Sequence, residues 1–196
     1  MQTITKAYQV YKYEELSSDA QGKVRNFFGE DTENETYLLE CDFNEQQNGE
    51  HPYFKDKKFQ WSCSCCQGDG LSFSCSFNME SFIEKRFPKI KQSLKNILMD
   101  YVSVKITENK DHYYYAERYQ VNYELNLPLN GHPTPTLEVA IDNIIDSVKY
   151  HYMDICADFY NQACNQYEYL YTDEHAQETC DANEHTFLAD GTMFNE

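Results

Sequence analysis

Four thiols crowd one short stretch of the chain, FQWSCSCCQGDGLSFSCSF at residues 59–77: Cys63, Cys65, Cys66 and Cys75. Thiolates are strong zinc ligands, so a tetrahedral zinc site is the first chemistry they suggest. The residues on either side of Gln67-Gly68-Asp69-Gly70 alternate like β-strands, and successive side chains of a strand point to opposite faces. A loop of two or four residues places Ser62, Ser64 and Cys66 on one face with Leu71, Phe73, Cys75 and Phe77. The other face then carries Phe59, Trp61, Cys63 and Cys65 opposite Ser72, Ser74 and Ser76. In that register the sulfurs divide two and two, and no four-thiolate site forms. A three-residue loop or a bulge would change the parity. The spacing also lacks the CxxC of a zinc knuckle or ribbon. The expectation is no metal and no cofactor, with the cysteines acting as small apolar packing residues.

The Gln67–Gly70 turn has two readings. Gly and Asp tolerate the positive φ of a tight hairpin, so it is a turn. Alternatively Gln67, Gly68, Asp69, Gly70 and Ser72 form a polar rim on a rigid sheet edge, a place where a small ligand or nucleotide would bind. It is not a phosphate loop, because GxxxxGK[ST] is absent and no Gly-rich turn leads directly into a helix. No catalytic constellation appears. The six histidines have no HExxH spacing, and there is no GxSxG elbow. His151 and Asp154, three apart, read as a surface hydrogen bond on a helix. Cys66 has no neighbour that would depress its pKa. A non-enzymatic role is expected.

The elements that position these residues read as an α+β fold, an antiparallel sheet built from hairpins with long amphipathic helices packed against it. One domain spanning residues 1–196 suits this length. Thr3–Tyr13 has the β-formers of a first strand. Ser17 is a helix N-cap with Leu16 as a staple, Ala20, Val24, Phe27 and Phe28 follow at helical spacing, and Gly29 ends the element. A second helix is predicted over about Glu33–Gln46, with Tyr37, Leu38 and Cys41 inward. Gln47–Lys58 reads as a polar connection. Asn78–Tyr101 reads as a helix kinked or started at Pro88. Its outer face carries Lys85, Arg86, Lys89, Lys91 and Lys95, either a solvated face that offsets acidic charge or a phosphate-contacting patch. Val102–Thr107 and the Tyr-rich Tyr113–Leu125 pair as strands. Thr134-Pro135 then opens the longest helix, about Thr136–Tyr171, whose buried stripe is Leu137, Ile141, Ile144, Val148, Tyr152, Ile155 and Phe159. A helix over about Asp173–Asn183 and a hairpin over His185–Phe194, turning at Asp190-Gly191, close the chain.

The formal charge of −17 is unevenly spread: thirteen Asp and Glu but only one basic residue, Lys149, lie between Thr136 and Glu196. Such a field repels nucleic acid and anionic membranes and attracts basic surfaces. It serves either solubility or the masking of a partner's nucleic-acid-binding site. Asp142, Asp146, Asp154 and Asp158 fall at spacings of four and eight, on the outward side of the long helix, and with Glu168 are the candidate partner-binding residues. No stretch approaches the roughly 18–20 apolar residues of a membrane span. The beginning MQTITKAYQVYKYEEL has no apolar run like that of a signal peptide, so a cytoplasmic protein with reduced thiols is expected.

Three segments together carry a family resemblance. VYKYEELSSDA at 10–20 resembles a Y-x-F-x-E-L-S-x-E-A strand-to-helix start, and SCSCCQGDGLSF at 62–73 resembles an S-Q-G-D-G-x-S/C-F hairpin. ANEHTFLADG at 182–191 resembles an E-A-N-E-Y-x-F-x-x-D-G hairpin. These patterns are similar to those of an uncharacterised group of small acidic proteins encoded by phages and prophages. The chain departs from them at Cys66, where the group often has Ser, and at His185, where it often has Tyr. The resemblance implies a phage origin and an accessory role in the bacterial host cell, and it implies no chemistry. Small phage accessory proteins often disable host factors, including restriction and CRISPR machinery. The expectation is therefore an anti-CRISPR-like or anti-restriction-like inhibitor whose partner is a bacterial host protein with a basic surface, without direct binding to nucleic acid or membrane.

Overall fold

The computed structural model describes residues 6–30, 33–63, 68–107, 121–127 and 133–194. Its helices are α1 (Ser18–Gly29), α2 (Glu33–Glu50), α3 (Met79–Arg86), α4 (Gln92–Tyr101), α5 (Pro135–Leu170) and α6 (Asp173–Ala182). Its strands are β1 (Phe54–Ser62), β2 (Gly70–Phe77), β3 (Val102–Ile106) and β4 (Val121–Leu125). The class is α+β. The chain divides into two compact units, Leu38–Gln162 and a second made of Met1–Tyr37 with Ala163–Glu196.

The unit Leu38–Gln162 holds a four-stranded sheet in the order β1-β2-β3-β4, antiparallel throughout. Its central hairpin follows the sequence expectation in place but not in register. Trp61 stands opposite Leu71, Phe59 opposite Phe73, and Ser62 opposite Gly70. Directly opposed residues share a face, so Phe59 and Trp61 lie with Leu71 and Phe73 rather than against the serines. β1 therefore ends at Ser62 and Gly70 already belongs to β2, so residues 63–69 separate the two strands. The two-and-two division of sulfurs rested on the other parity, and of the four cysteines only Cys63 and Cys75 lie among the described residues. Cys65 and Cys66 lie outside the described residues, as do Ser64 and Gln67.

A bulge between Lys55 and Lys58 was not legible in advance. Asp56 takes a left-handed φ of 52° there. Phe54 and Phe59 are five apart and would face opposite ways in a regular strand. The extra residue brings both rings to Phe73, at centroid distances of 5.7 and 5.5 Å. The stretch read as a polar connection thus contains two of the most buried residues, Tyr53 and Phe54.

The long helix behaves as its periodicity demands. Thr134 accepts a hydrogen bond from the Leu137 N–H at 3.3 Å, Pro135 opens the first turn, and Ile141, Ile144, Val148, Tyr152, Ile155 and Phe159 are all buried. On α2 the inward residues are Leu39, Phe43 and Gln47, not Leu38, which is 54% exposed, or the exposed Cys41. Phe43 stacks on Phe159 at 4.5 Å, and that contact sets the inner face of the helix. Tyr37 lies outside the described side chains. The single helix expected over Asn78–Tyr101 is two, α3 and α4, because Pro88 disfavours helical backbone at Phe87, found at φ −129° and ψ 53°.

In the second unit, Ser17 caps α1 as expected, accepting from the Ala20 N–H at 3.4 Å. Leu16, Ala20 and Val24 are buried with Tyr13, Ala176, Cys180 and Phe187, whereas Phe27 is exposed. The expected first strand is reduced to one isolated bridge, Tyr11 to Phe187, with residues 1–5 outside the described residues. The closing hairpin forms through the Phe187–Met193 bridge and turns at Asp190-Gly191. Gly191 has φ 85°, and a Cβ there would meet the Ala20 carbonyl oxygen at 2.7 Å, so the turn requires glycine twice over. Among the described residues, no helix is long and apolar enough to cross a membrane.

Candidate protein-binding face

An α-helix turns about 100° per residue, so each step of four residues advances about 40° beyond a full turn. From Asp142 to Asp158 the drift is about 160°. The four carboxylates therefore spread across the outer face of α5 rather than lining one flank of it. Asp142 and Asp146 lie on one side of the outer face, and Asp154 and Asp158 lie on the other. All four are exposed. Between the two pairs lie Val139, 60% exposed, and Tyr150, 66%, neither singled out from the sequence alone, while Met153, 41% exposed, sits beside Asp142 and Asp146. The signal for Tyr150 was available. Tyr150 is two residues beyond Val148, and two residues turn a helix by about 200°, so a buried Val148 puts Tyr150 outward.

The carboxylates differ in how free they are. Asp142 accepts a hydrogen bond from the Tyr123 hydroxyl of β4 at 2.8 Å, and this holds the Tyr123 phenol above its usual pKa. Asp146 is paired with Lys149 at 3.3 Å. Asp154 and Asp158 have no ion pair with a described cation. Partial desolvation, followed by the charges of Asp154 and Glu50, raises the Asp158 carboxyl above the usual carboxylate range. Glu168 of α5 is also exposed and belongs to the other compact unit. Of the Tyr-rich segment, Tyr113, Tyr114, Tyr115 and Tyr119 lie outside the described residues.

The alternative ligand rim is less coherent. Ser72 is fully buried, so it is not presented at an edge, and its hydroxyl finds no hydrogen-bond partner among the described residues. Asp69 accepts from the Ser62 hydroxyl at 2.8 Å, which ties the loop to β1. Gly68 and Asp69 are half-buried, Gly70 is buried at the start of β2, and Gln67 lies outside the described residues. Among the described residues, no group of His, Cys, Asp and Glu is arranged to hold a metal ion. Burial raises the Cys75 thiol to about 12, so it is not a reactive thiolate.

Three cations of the basic helix face, Lys85, Arg86 and Lys95, make local contacts. Lys85 donates to the Gly49 carbonyl at 2.8 Å, close to the C-terminus of α2, where a cation is favoured. Lys95 pairs with Glu84 at 3.0 Å. Arg86 donates to the Tyr53 hydroxyl at 3.1 Å, and that hydroxyl lies 2.7 Å from Nδ1 of His51. The His51 ring is 6.0 Å from that of His151. Nδ1 of His151 is buried and has no hydrogen-bond partner among the described residues, so the surface bond to Asp154 expected from their spacing is not made through that atom.

Burial, then the charges of Arg86, His151 and Lys85, lower the His51 pKa to about 4 from an ordinary 6.5. Because the folded value lies below the unfolded one, His51 contributes its full stability above pH 6.5, and that stability is lost as pH falls towards 4. Linkage sets an upper limit of about 3 kcal/mol, which solvent screening at the rim of the cluster reduces to about 1–2 kcal/mol. The expected result is a fall of that size in the unfolding free energy measured by urea titration between pH 6.5 and 4, largely abolished in His51→Gln. An unchanged pH profile in that variant would show that the loss arises elsewhere.

No family model, curated protein or solved structure matches this chain.

Proposed function

We propose that this is a phage-encoded accessory protein that binds and inhibits a bacterial defence or nucleic-acid-handling protein, by laying the carboxylates of α5 into a basic groove. The observation that carries the reading is the outer face of α5, where Asp142, Asp146, Asp154 and Asp158 are all exposed on one rigid helix. The resemblance of three segments to phage proteins supplies the setting. A chain of net charge −17 meets a cationic groove faster than a neutral one, and the gain lies more in encounter rate than in final affinity.

The test is affinity capture of the tagged protein from a bacterial host, identification of what binds, and binding of the purified pair across salt. Each exposed carboxylate against a cationic groove contributes about 0.5–1 kcal/mol. Replacing Asp146, Asp154 and Asp158 together with Asn is expected to weaken binding about tenfold or more, chiefly through a slower on-rate, with the melting temperature held. Wild-type affinity is expected to fall steeply towards physiological ionic strength, where the Debye length is about 8 Å. Affinity indifferent to both salt and the triple change would rule the proposal out.

A further inference from the structure

Carboxylates alone would suit the groove of a duplex-binding protein, which reads phosphate charge. The face on α5 is not charge alone. Val139 and Tyr150 are exposed along its midline, with Met153 beside the first pair of aspartates, and Asp142 and Asp146 stand to one side of the midline and Asp154 and Asp158 to the other. Val139 and Tyr150 are eleven residues apart, about 16 Å of helix axis. Clefts that hold a single strand of nucleic acid have the complementary layout: an apolar and aromatic floor on which bases stack, between cationic walls that take phosphates. A large aromatic ring seated in a desolvated pocket is also the commonest anchor of a protein interface.

We infer that the outer face of α5 is a ligand for a single-strand-binding cleft, with Tyr150 occupying a base-stacking position and Asp142, Asp146, Asp154 and Asp158 meeting the phosphate-binding walls. This rests on the proposed acidic inhibitor and names the class of its target: a protein that grips single-stranded nucleic acid rather than duplex. A second copy of the chain is a poor occupant, because two such faces would bring like charges together. The helix is also suited to the role. Its inner face is fixed in the core by Val148 and Tyr152, so the outer side chains are displayed on a backbone that pays no ordering cost on binding.

A photo-crosslinking residue placed at Met153 in the full chain tests this in a bacterial lysate. Crosslinking is measured alone, with excess single-stranded oligothymidine, and with duplex DNA of the same length. The inference expects one or more specific adducts, suppressed by the single strand and not by the duplex. Tyr150→Ala is expected to reduce adduct yield about tenfold while leaving the melting temperature unchanged, since the ring is 66% exposed. Suppression by duplex alone, or an undiminished yield from Tyr150→Ala, overturns the single-strand assignment and leaves acidic occlusion standing. Adducts insensitive to both nucleic acids and to salt, or no specific adduct, count against both.

Discussion

Phe159→Ala is expected to destabilise the unit Leu38–Gln162 by about 3–5 kcal/mol, the largest single effect among the substitutions considered. Phe159 is fully buried. Its ring lies 4.5 Å from Phe43 of α2, 4.6 Å from Phe59 of β1 and 6.2 Å from Trp61, so it joins α2, α5 and the sheet at one point. Truncation removes the apolar area of one ring and leaves a cavity walled by three others that cannot close it without moving a strand or a helix. Urea unfolding followed by far-ultraviolet circular dichroism measures the change. A loss below about 1 kcal/mol would mean that α5 does not pack on the sheet in this way. Phe159→Leu keeps most of the volume and is expected to recover more than half of the loss.

Tyr152→Phe is expected to cost about 2–4 kcal/mol although it removes a single oxygen. The Tyr152 hydroxyl accepts from the Phe73 N–H at 3.1 Å and donates to the Phe73 carbonyl at 3.1 Å. Phe73 is fully buried in β2, and the nearest pairing of β2 with β3 is at Cys75 and Ile106. The phenol therefore takes the place of a neighbouring strand for one residue. Without it a buried donor and a buried acceptor lose the phenol together, and each costs about 1–3 kcal/mol where no other group takes its place. Fluorescence of Trp61, the only tryptophan, reports the transition. If the variant is as stable as wild type, water has replaced the hydroxyl, and the Phe73 N–H should then exchange with deuterium markedly faster.

Wherever local chemistry was decisive, the elements were legible from the residues. Ser17 and Thr134 cap α1 and α5 because short hydroxyl side chains satisfy the first free N–H groups, and Asp190-Gly191 turns because glycine alone fits against Ala20. The buried stripe of α5 followed from its period, and the same period, carried past Val148, places Tyr150 outward. The position of the Phe59–Phe77 hairpin was likewise fixed by alternation.

What the sequence left open was parity. Moving a strand register by one residue exchanges the faces, and the length of the Cys63–Asp69 connection and the bulge at Asp56 are chosen by which arrangement buries Phe54, Phe59, Phe73 and Trp61 together. That choice is made by packing against Phe43 and Phe159, which lie far away in sequence, so no local pattern could announce it. The same holds for the inner face of α2, where Phe43 rather than Leu38 meets the core, and for the buried His51, whose neighbours come from α3 and α5. The chain by itself determined its charge, its helix caps and the two faces of its longest helix. Tertiary packing alone decided which strand residues share a face, and that Asp142 of α5 accepts from Tyr123 of the sheet.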